Sequence, residues 1–110
     1  MAGFVKGDVI VIAFPFADLS QTKRRPALVL AEVDAGAVIL CQITSQSLRD
    51  PDAIELGTAD FQSGSLMKRS NIRPNRVFTA DRRIVLYRAG HLNASKTTEV
   101  VARLVEILQR

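Results

Sequence analysis

The residues best placed to do chemistry surround Lys23-Arg24-Arg25-Pro26-Ala27-Leu28-Val29-Leu30, where two arginines precede a proline and an apolar run. A guanidinium stays protonated, so Arg25 can stabilise negative charge but cannot act as a base. Pro26 pushes the residue before it toward extended backbone. Lacking an N–H, it suits the first residue of a strand or an edge. Arg25 is therefore expected at the mouth of a strand, where a rigid scaffold meets a loop. Lys68, Arg69, Arg73 and Arg76 form a second basic group, and Arg82, Arg83 and Arg88 a third. Such groups are commonly solvated surface, and three of them in a small domain suit a polyanion groove. His91 is the one histidine. Imidazole is the usual acid–base group near neutral pH, but His91 precedes the C-terminal helix, apart from the basic groups, and reads as structural. No His, Cys or carboxylate set has metal-ligand spacing, so neither a metal nor another cofactor is expected.

These residues need a scaffold, and the chain is long enough for one. Its 110 residues argue for a single domain, 1–110, and 47% hydrophobic content suffices for a core. Fifteen Lys and Arg against eleven Asp and Glu give a net charge of +4. That balance favours a nucleic acid or an acidic polypeptide as partner. No apolar run approaches the ~18 residues of a membrane span, and Met1 to Lys6 lacks the plan of a signal peptide. A cytoplasmic protein with no membrane association is expected. The single Cys41 cannot form an internal disulfide and reads as a small buried hydrophobe.

The elements are mostly strands. Asp8 to Phe14 is continuously apolar after its first residue and should be covered on both faces. Pro15 ends it, and a polar loop with Ser20 and Gln21 follows. Pro26 to Val33 and Ala37 to Thr44 flank Asp34-Ala35-Gly36 and read as an antiparallel hairpin. The start of the first strand of such a hairpin lies beside the end of the second, which sets Arg25 next to Thr44. Ala53 to Leu56 is a short strand. Ser70 to Thr79 contains Pro74, which demands an edge, a bulge or an irregular strand. Asp81 to Ile84 reads as one helical turn and Val85 to Leu92 as a last strand interrupted by Gly90. Asn93, with Ser95 as second choice, caps a C-terminal helix. Val100, Val101, Leu104, Val105 and Leu108 form its apolar stripe. Glu99 and Arg103 are spaced for an i,i+4 pair. Strands plus one terminal helix imply a mainly β fold, a small curled sheet or barrel.

The order of motifs resembles the MazF/PemK family of toxin endoribonucleases. Lys6-Gly7-Asp8-Val9 is similar to the family's opening. The loop with Ser20-Gln21, followed by Arg25-Pro26-Ala27-Leu28-Val29, resembles its most recognisable motif. Cys41-Gln42-Ile43-Thr44-Ser45 resembles a second, and Ser70 to Asp81 a third. The resemblance implies an SH3-like β-barrel with a C-terminal helix. It also implies a homodimer and an acidic antitoxin that neutralises the toxin.

It further implies a metal-independent cleavage of single-stranded RNA in which the 2′-hydroxyl attacks the adjacent phosphorus. Arg25 and Thr44 match the catalytic arginine and threonine; Arg24 matches no catalytic position. Part of the family uses an arginine and an aspartate two residues apart, with a histidine in the first loop. Arg73 fits that pattern, but Asn75 stands where the aspartate would be and Ser20 where the histidine would be. Neither is a general base, so Arg25 and Thr44 are favoured for chemistry. Ser20, Gln21, Arg73, Asn75 and Arg76 are expected to bind or read RNA. Two alternatives share parts of this reading. One is a gyrase poison of the CcdB type, which typically needs a tryptophan near its C-terminus; this chain has none. The other is a non-catalytic RNA-binding module, which stacks bases on exposed aromatics; only 5% of residues here are aromatic.

Overall fold

A computed structural model describes residues 3–15, 22–46 and 49–110. Its strands are β1 (Asp8–Pro15), β2 (Thr22–Glu32), β3 (Ala37–Thr44), β4 (Ile54–Leu56), β5 (Phe61–Gly64), β6 (Ser70–Asp81) and β7 (Val85–Leu92). One helix, α1 (Ala94–Leu108), follows. The strands form a single antiparallel sheet in the order β4-β6-β3-β2-β1-β7-β5, curled into a half-barrel. The mainly β, SH3-like barrel with a terminal helix is the architecture found.

The curl creates two apolar layers. Val9, Leu28, Cys41, Ile43, Ile72 and Leu92 face α1, where Val100 meets them. Ile10, Ile12, Ala27, Val29, Val38 and Leu40 face the other way and are closed over by Phe4, Phe78, Ile84 and Val85. Side chains alternate along a strand, so β1 feeds Val9 to one layer and Ile10 and Ile12 to the other. This explains its unbroken apolar run. The chain thus covers both faces of β1 by itself, without help from a second copy.

Asp8, only 1% exposed, anchors β1. Its Oδ2 accepts the Val5 N–H at 3.0 Å, and its Oδ1 lies 2.8 Å from His91 Nδ1 on β7. A carboxylate only accepts, so Nδ1 carries the proton. Asp8 and His91 are also register partners of β1 and β7. Gly90 stays inside β7, where a Cβ would come within 2.5 Å of the Ser63 carbonyl oxygen. That close approach admits β5, a strand that Phe61-Gln62-Ser63-Gly64 does not advertise because it carries one apolar residue.

Two expectations need correction. β2 begins at Thr22, so Pro26 lies within the strand, opposite Val11 of β1. The ladder with β3 starts only at Ala27. Pro26 therefore sits where β2 has an open edge on one side, which satisfies its missing N–H. Arg25 stands at the mouth of the β2–β3 ladder, not of the strand. The Glu99–Arg103 pair does not form. Arg103 instead donates to the carbonyls of Pro51 and Asp52, and Glu99 pairs with Lys96 at 3.0 Å. Asn93 caps α1 as expected, accepting the Lys96 N–H at 2.9 Å, while Ser95 Oγ donates to the Asn93 side chain.

Candidate active site

A cleft of about 230 Å³ opens at the mouth of the β2–β3 ladder. Arg24, Arg25 and Pro26 form one wall, Ile43, Thr44 and Ser45 the second, and Leu66 to Lys68 with Ser70 the third. The hairpin register produces this meeting. Val29, Leu28 and Ala27 oppose Leu40, Cys41 and Gln42, and two further steps bring Arg25 across from Thr44. The sequence-expected pair is thus in one cleft.

The chemistry of the cleft is that of donors. Arg25 is partly exposed, and no carboxylate among the described residues pairs with it. Thr44 is 8% exposed. Its Oγ1 accepts the Gln46 N–H at 3.2 Å, which leaves the hydroxyl proton free to donate into the cleft. Arg24, which matches no catalytic position, is exposed and lines the same wall. Lys68, which the sequence marked only as part of a basic group, precedes β6, and Ser70, the first residue of the third motif, begins it. Arg24 and Arg25 of the first basic group thus meet Lys68 of the second at the cleft. In the third, Arg83 is held by Asp81 at 2.9 Å and Arg88 lies 3.4 Å from Asp8. The Arg83 side chain in turn holds the Asp81 carboxyl below the usual carboxylate range.

Arg73 and Asn75 gather elsewhere, around a carboxylate that the sequence did not single out. Arg73 Nε lies 3.1 Å from Asp50 Oδ2, and Asn75 Nδ2 lies 3.1 Å from both Asp50 oxygens. The Asp52 N–H donates to Oδ1 at 3.0 Å. Burial pushes the Asp50 carboxyl up, but the Asp52 N–H, Arg73 and Asn75 outweigh it and hold it below the ordinary range. A bulge makes the arrangement possible. Cys41 and Gln42 are neighbours on β3, yet they oppose Val77 and Arg73 on β6. Pro74, Asn75 and Arg76 are the extra residues, and bulges re-aim side chains in this way. Arg76 goes its own way, beside Gln42, Val77 and Phe78. Ser20 and Gln21 lie outside the described residues. Cys41 is fully buried, its thiol pushed up to about 12 by burial and 2.9 Å from the Arg73 carbonyl oxygen. Among the described residues no three His, Cys, Asp or Glu side chains are grouped to hold a metal ion.

The family model for PemK-like, MazF-like toxins of type II toxin–antitoxin systems matches residues 5–108. The chain belongs to this family. Solved toxins of the family share its fold. MazF from Deinococcus radiodurans superposes with a TM-score of 0.77 at 22% identity, covering 100% of both chains. A MazE–MazF complex from the same organism gives 0.78 at 23% identity, over 99% of this chain and 98% of that one. An endoribonuclease from a mycobacterial species, in complex with its cognate antitoxin, gives 0.76 at 12% identity, over 97% and 96%. Sequence comparison with curated proteins finds no match. Among the described residues of the toxin no helix is long and apolar enough to cross a membrane.

Proposed function

We propose that this toxin is an endoribonuclease that cleaves single-stranded RNA by internal attack of the 2′-hydroxyl. One observation carries the reading: Arg25, with no carboxylate partner among the described residues, and Thr44, whose Oγ1 accepts the Gln46 N–H, face one cleft flanked by Arg24 and Lys68. A phosphodiester seated there meets fixed donors where charge develops. In the step itself the 2′-oxygen bonds to phosphorus and the bond to the 5′-oxygen breaks. The 2′-hydroxyl gives up its proton and the departing 5′-oxygen takes one up. The products are a 2′,3′-cyclic phosphate and a 5′-hydroxyl. The attack is intramolecular, so holding the nucleotide in line supplies much of the acceleration. Arg25 stabilises the crowded phosphorane and Thr44 positions it. Single strands are the substrate because their bases can be splayed out for reading. The charge-stabilising groups are protein cations, so cleavage should survive EDTA.

The complexes of related toxins with antitoxins, together with the net charge of +4, support an acidic antitoxin as the natural inhibitor. The family likeness supports a homodimer working in the cytoplasm.

The test is purified toxin with a labelled RNA. Removing one preorganised charge-stabilising group commonly costs on the order of 100- to 1000-fold in rate. Arg25→Ala should lose that much while its circular dichroism is unchanged, and Thr44→Ala should lose less. A 2′-deoxy sugar on the 5′ side of the cut should stop the reaction. Full cleavage of that deoxy substrate would refute the mechanism. No cleavage of any RNA would favour the gyrase-poison or non-catalytic readings.

A further inference from the structure

We propose that Asp50 is a positioning residue that turns Arg73 and Asn75 into a base-reading pair of fixed polarity beside the Arg25–Thr44 cleft. The proposal rests on the RNA-directed reading above and names the part of the molecule that would read sequence.

The geometry is specific. The Asp50 side chain is 7% exposed and that of Arg73 19%. Arg73 meets the carboxylate through Nε, so the edge of its guanidinium remote from Nε keeps N–H donors for another acceptor. Asn75 turns its amide nitrogen to the same carboxylate. An ionised carboxylate only accepts, which fixes this orientation of the amide. The Asn75 Oδ1 acceptor must then face away from Asp50. Arg73 and Asn75 therefore present donors and an acceptor side by side, in an order that Asp50 dictates.

The pair also lies at the right place. Thr44 opposes Asn71 and Gln42 opposes Arg73 on the same sheet face. Diagonal neighbours on such a ladder are roughly 7–8 Å apart, a span that one nucleotide of an extended strand covers. A phosphate at Thr44 thus leaves an adjoining base within reach of Arg73 and Asn75.

The polarity has chemical content. Uracil and guanine show a keto acceptor beside an N–H donor on the Watson–Crick edge. Cytosine and adenine show an amino donor beside a ring-nitrogen acceptor. A donor and an acceptor in fixed order tell keto from amino bases. An Asn75 amide free to flip would accept both. Asp50→Asn is nearly isosteric but offers an amide in place of a pure acceptor. It allows Asn75 to reverse, so the reading should blur without loss of the scaffold.

The experiment uses single-stranded RNAs that differ at one nucleotide at a time on either side of the cut, with wild-type toxin, Asp50→Asn and Asn75→Ala. Wild type should separate keto from amino bases at one position by on the order of 10- to 100-fold. Asp50→Asn should reduce that ratio to a few-fold at that position only, leaving discrimination elsewhere. Asn75 is exposed, so Asn75→Ala should fold even if Asp50→Asn does not, and it must lose the same ratio. A purely structural Asp50 would slow every RNA in proportion; that outcome, or an unchanged ratio in either variant, overturns the proposal. Binding of the same panel with a 2′-deoxy sugar at the cut separates this idea from the nuclease reading. Discrimination in binding that depends on Asp50, without cleavage of RNA, would sustain the proposal and sink the nuclease. Equal binding of all sequences would sink the proposal whatever the cleavage result.

Discussion

Replacing Asp8 by alanine should destabilise the toxin substantially without touching its chemistry. The magnitude follows from what the carboxylate holds. Its oxygens take the Val5 N–H at 3.0 Å and the His91 ring N–H at 2.8 Å, with Asp8 itself 1% exposed. A buried donor left without an acceptor costs roughly 1–3 kcal/mol, and these two lie toward the low end because Val5 is exposed and His91 partly so. Arg88 is 56% exposed and 3.4 Å away, so its share is small. Removing the carboxylate also removes the cost of burying it, which offsets part of the loss. A net destabilisation of about 2 kcal/mol is expected. For a domain of this size that lowers Tm by on the order of 10 °C. Thermal unfolding followed by circular dichroism measures it. His91→Ala should cost less. The double variant should show a coupling of about 1 kcal/mol or more, because the two side chains share one bond. At 25 °C the folded fraction of Asp8→Ala should keep wild-type turnover. Asp8 sits at one end of β1, while Arg25 pairs with Ile12 toward the other. A Tm within 2 °C of wild type, or strictly additive single variants, would refute this account.

Two further outcomes concern partners. The toxin should sediment at micromolar concentration as a dimer; a clean monomer would remove the homodimer from the proposed function, since the chain already covers its own β1. An acidic antitoxin peptide should compete with non-cleavable RNA, and its association should slow as salt rises because long-range attraction to the basic cleft is screened. Simultaneous, independent binding of both would show that the antitoxin does not occupy the RNA groove.

Much of this molecule could be read from its sequence where local chemistry is decisive. Asn93 before a periodic apolar stripe announced α1, and Asp81 before Arg82 announced a turn whose cap is indeed the Asp81 carboxylate on the Arg83 N–H. The family motifs singled out Arg25 and Thr44, and antiparallel pairing of their strands sets them side by side. The misses come from contacts between residues far apart in the chain. β5 exists because Gly90 lets it approach β7, a fact that neither segment carries alone. Arg103 looked like a partner for Glu99 because spacing on the helix was all that could be seen. In the fold a loop backbone some 50 residues away offers it carbonyl acceptors instead. Asp50, which precedes Pro51 in the sequence, carried no signal of its own. Its role depends on a three-residue bulge in β6, and Pro74 signalled only that some irregularity was needed there.

The bulge and the loop that crosses it divide the site into parts of different rigidity. Arg25 and Thr44 stand just past the end of the β2–β3 ladder, next to Ala27, Leu28 and Val29, which are fully buried. Each is held by regular pairing on its other side, Arg25 with Ile12 and Thr44 with Asn71. Arg73 borders the irregular stretch of β6 and Asn75 lies within it, where backbone pairing fixes little, and a buried carboxylate supplies the missing constraint. The loop bearing that carboxylate is itself tied down two residues later. Asp52 is buried, its carboxylate takes the Arg110 guanidinium through both oxygens, and its carbonyl accepts from Arg103. The C-terminal helix thus does more than close an apolar layer. Through Arg103, and with Arg110 just past its end, it holds the loop that holds Asp50, and through Asp50 it sets which way Arg73 and Asn75 face.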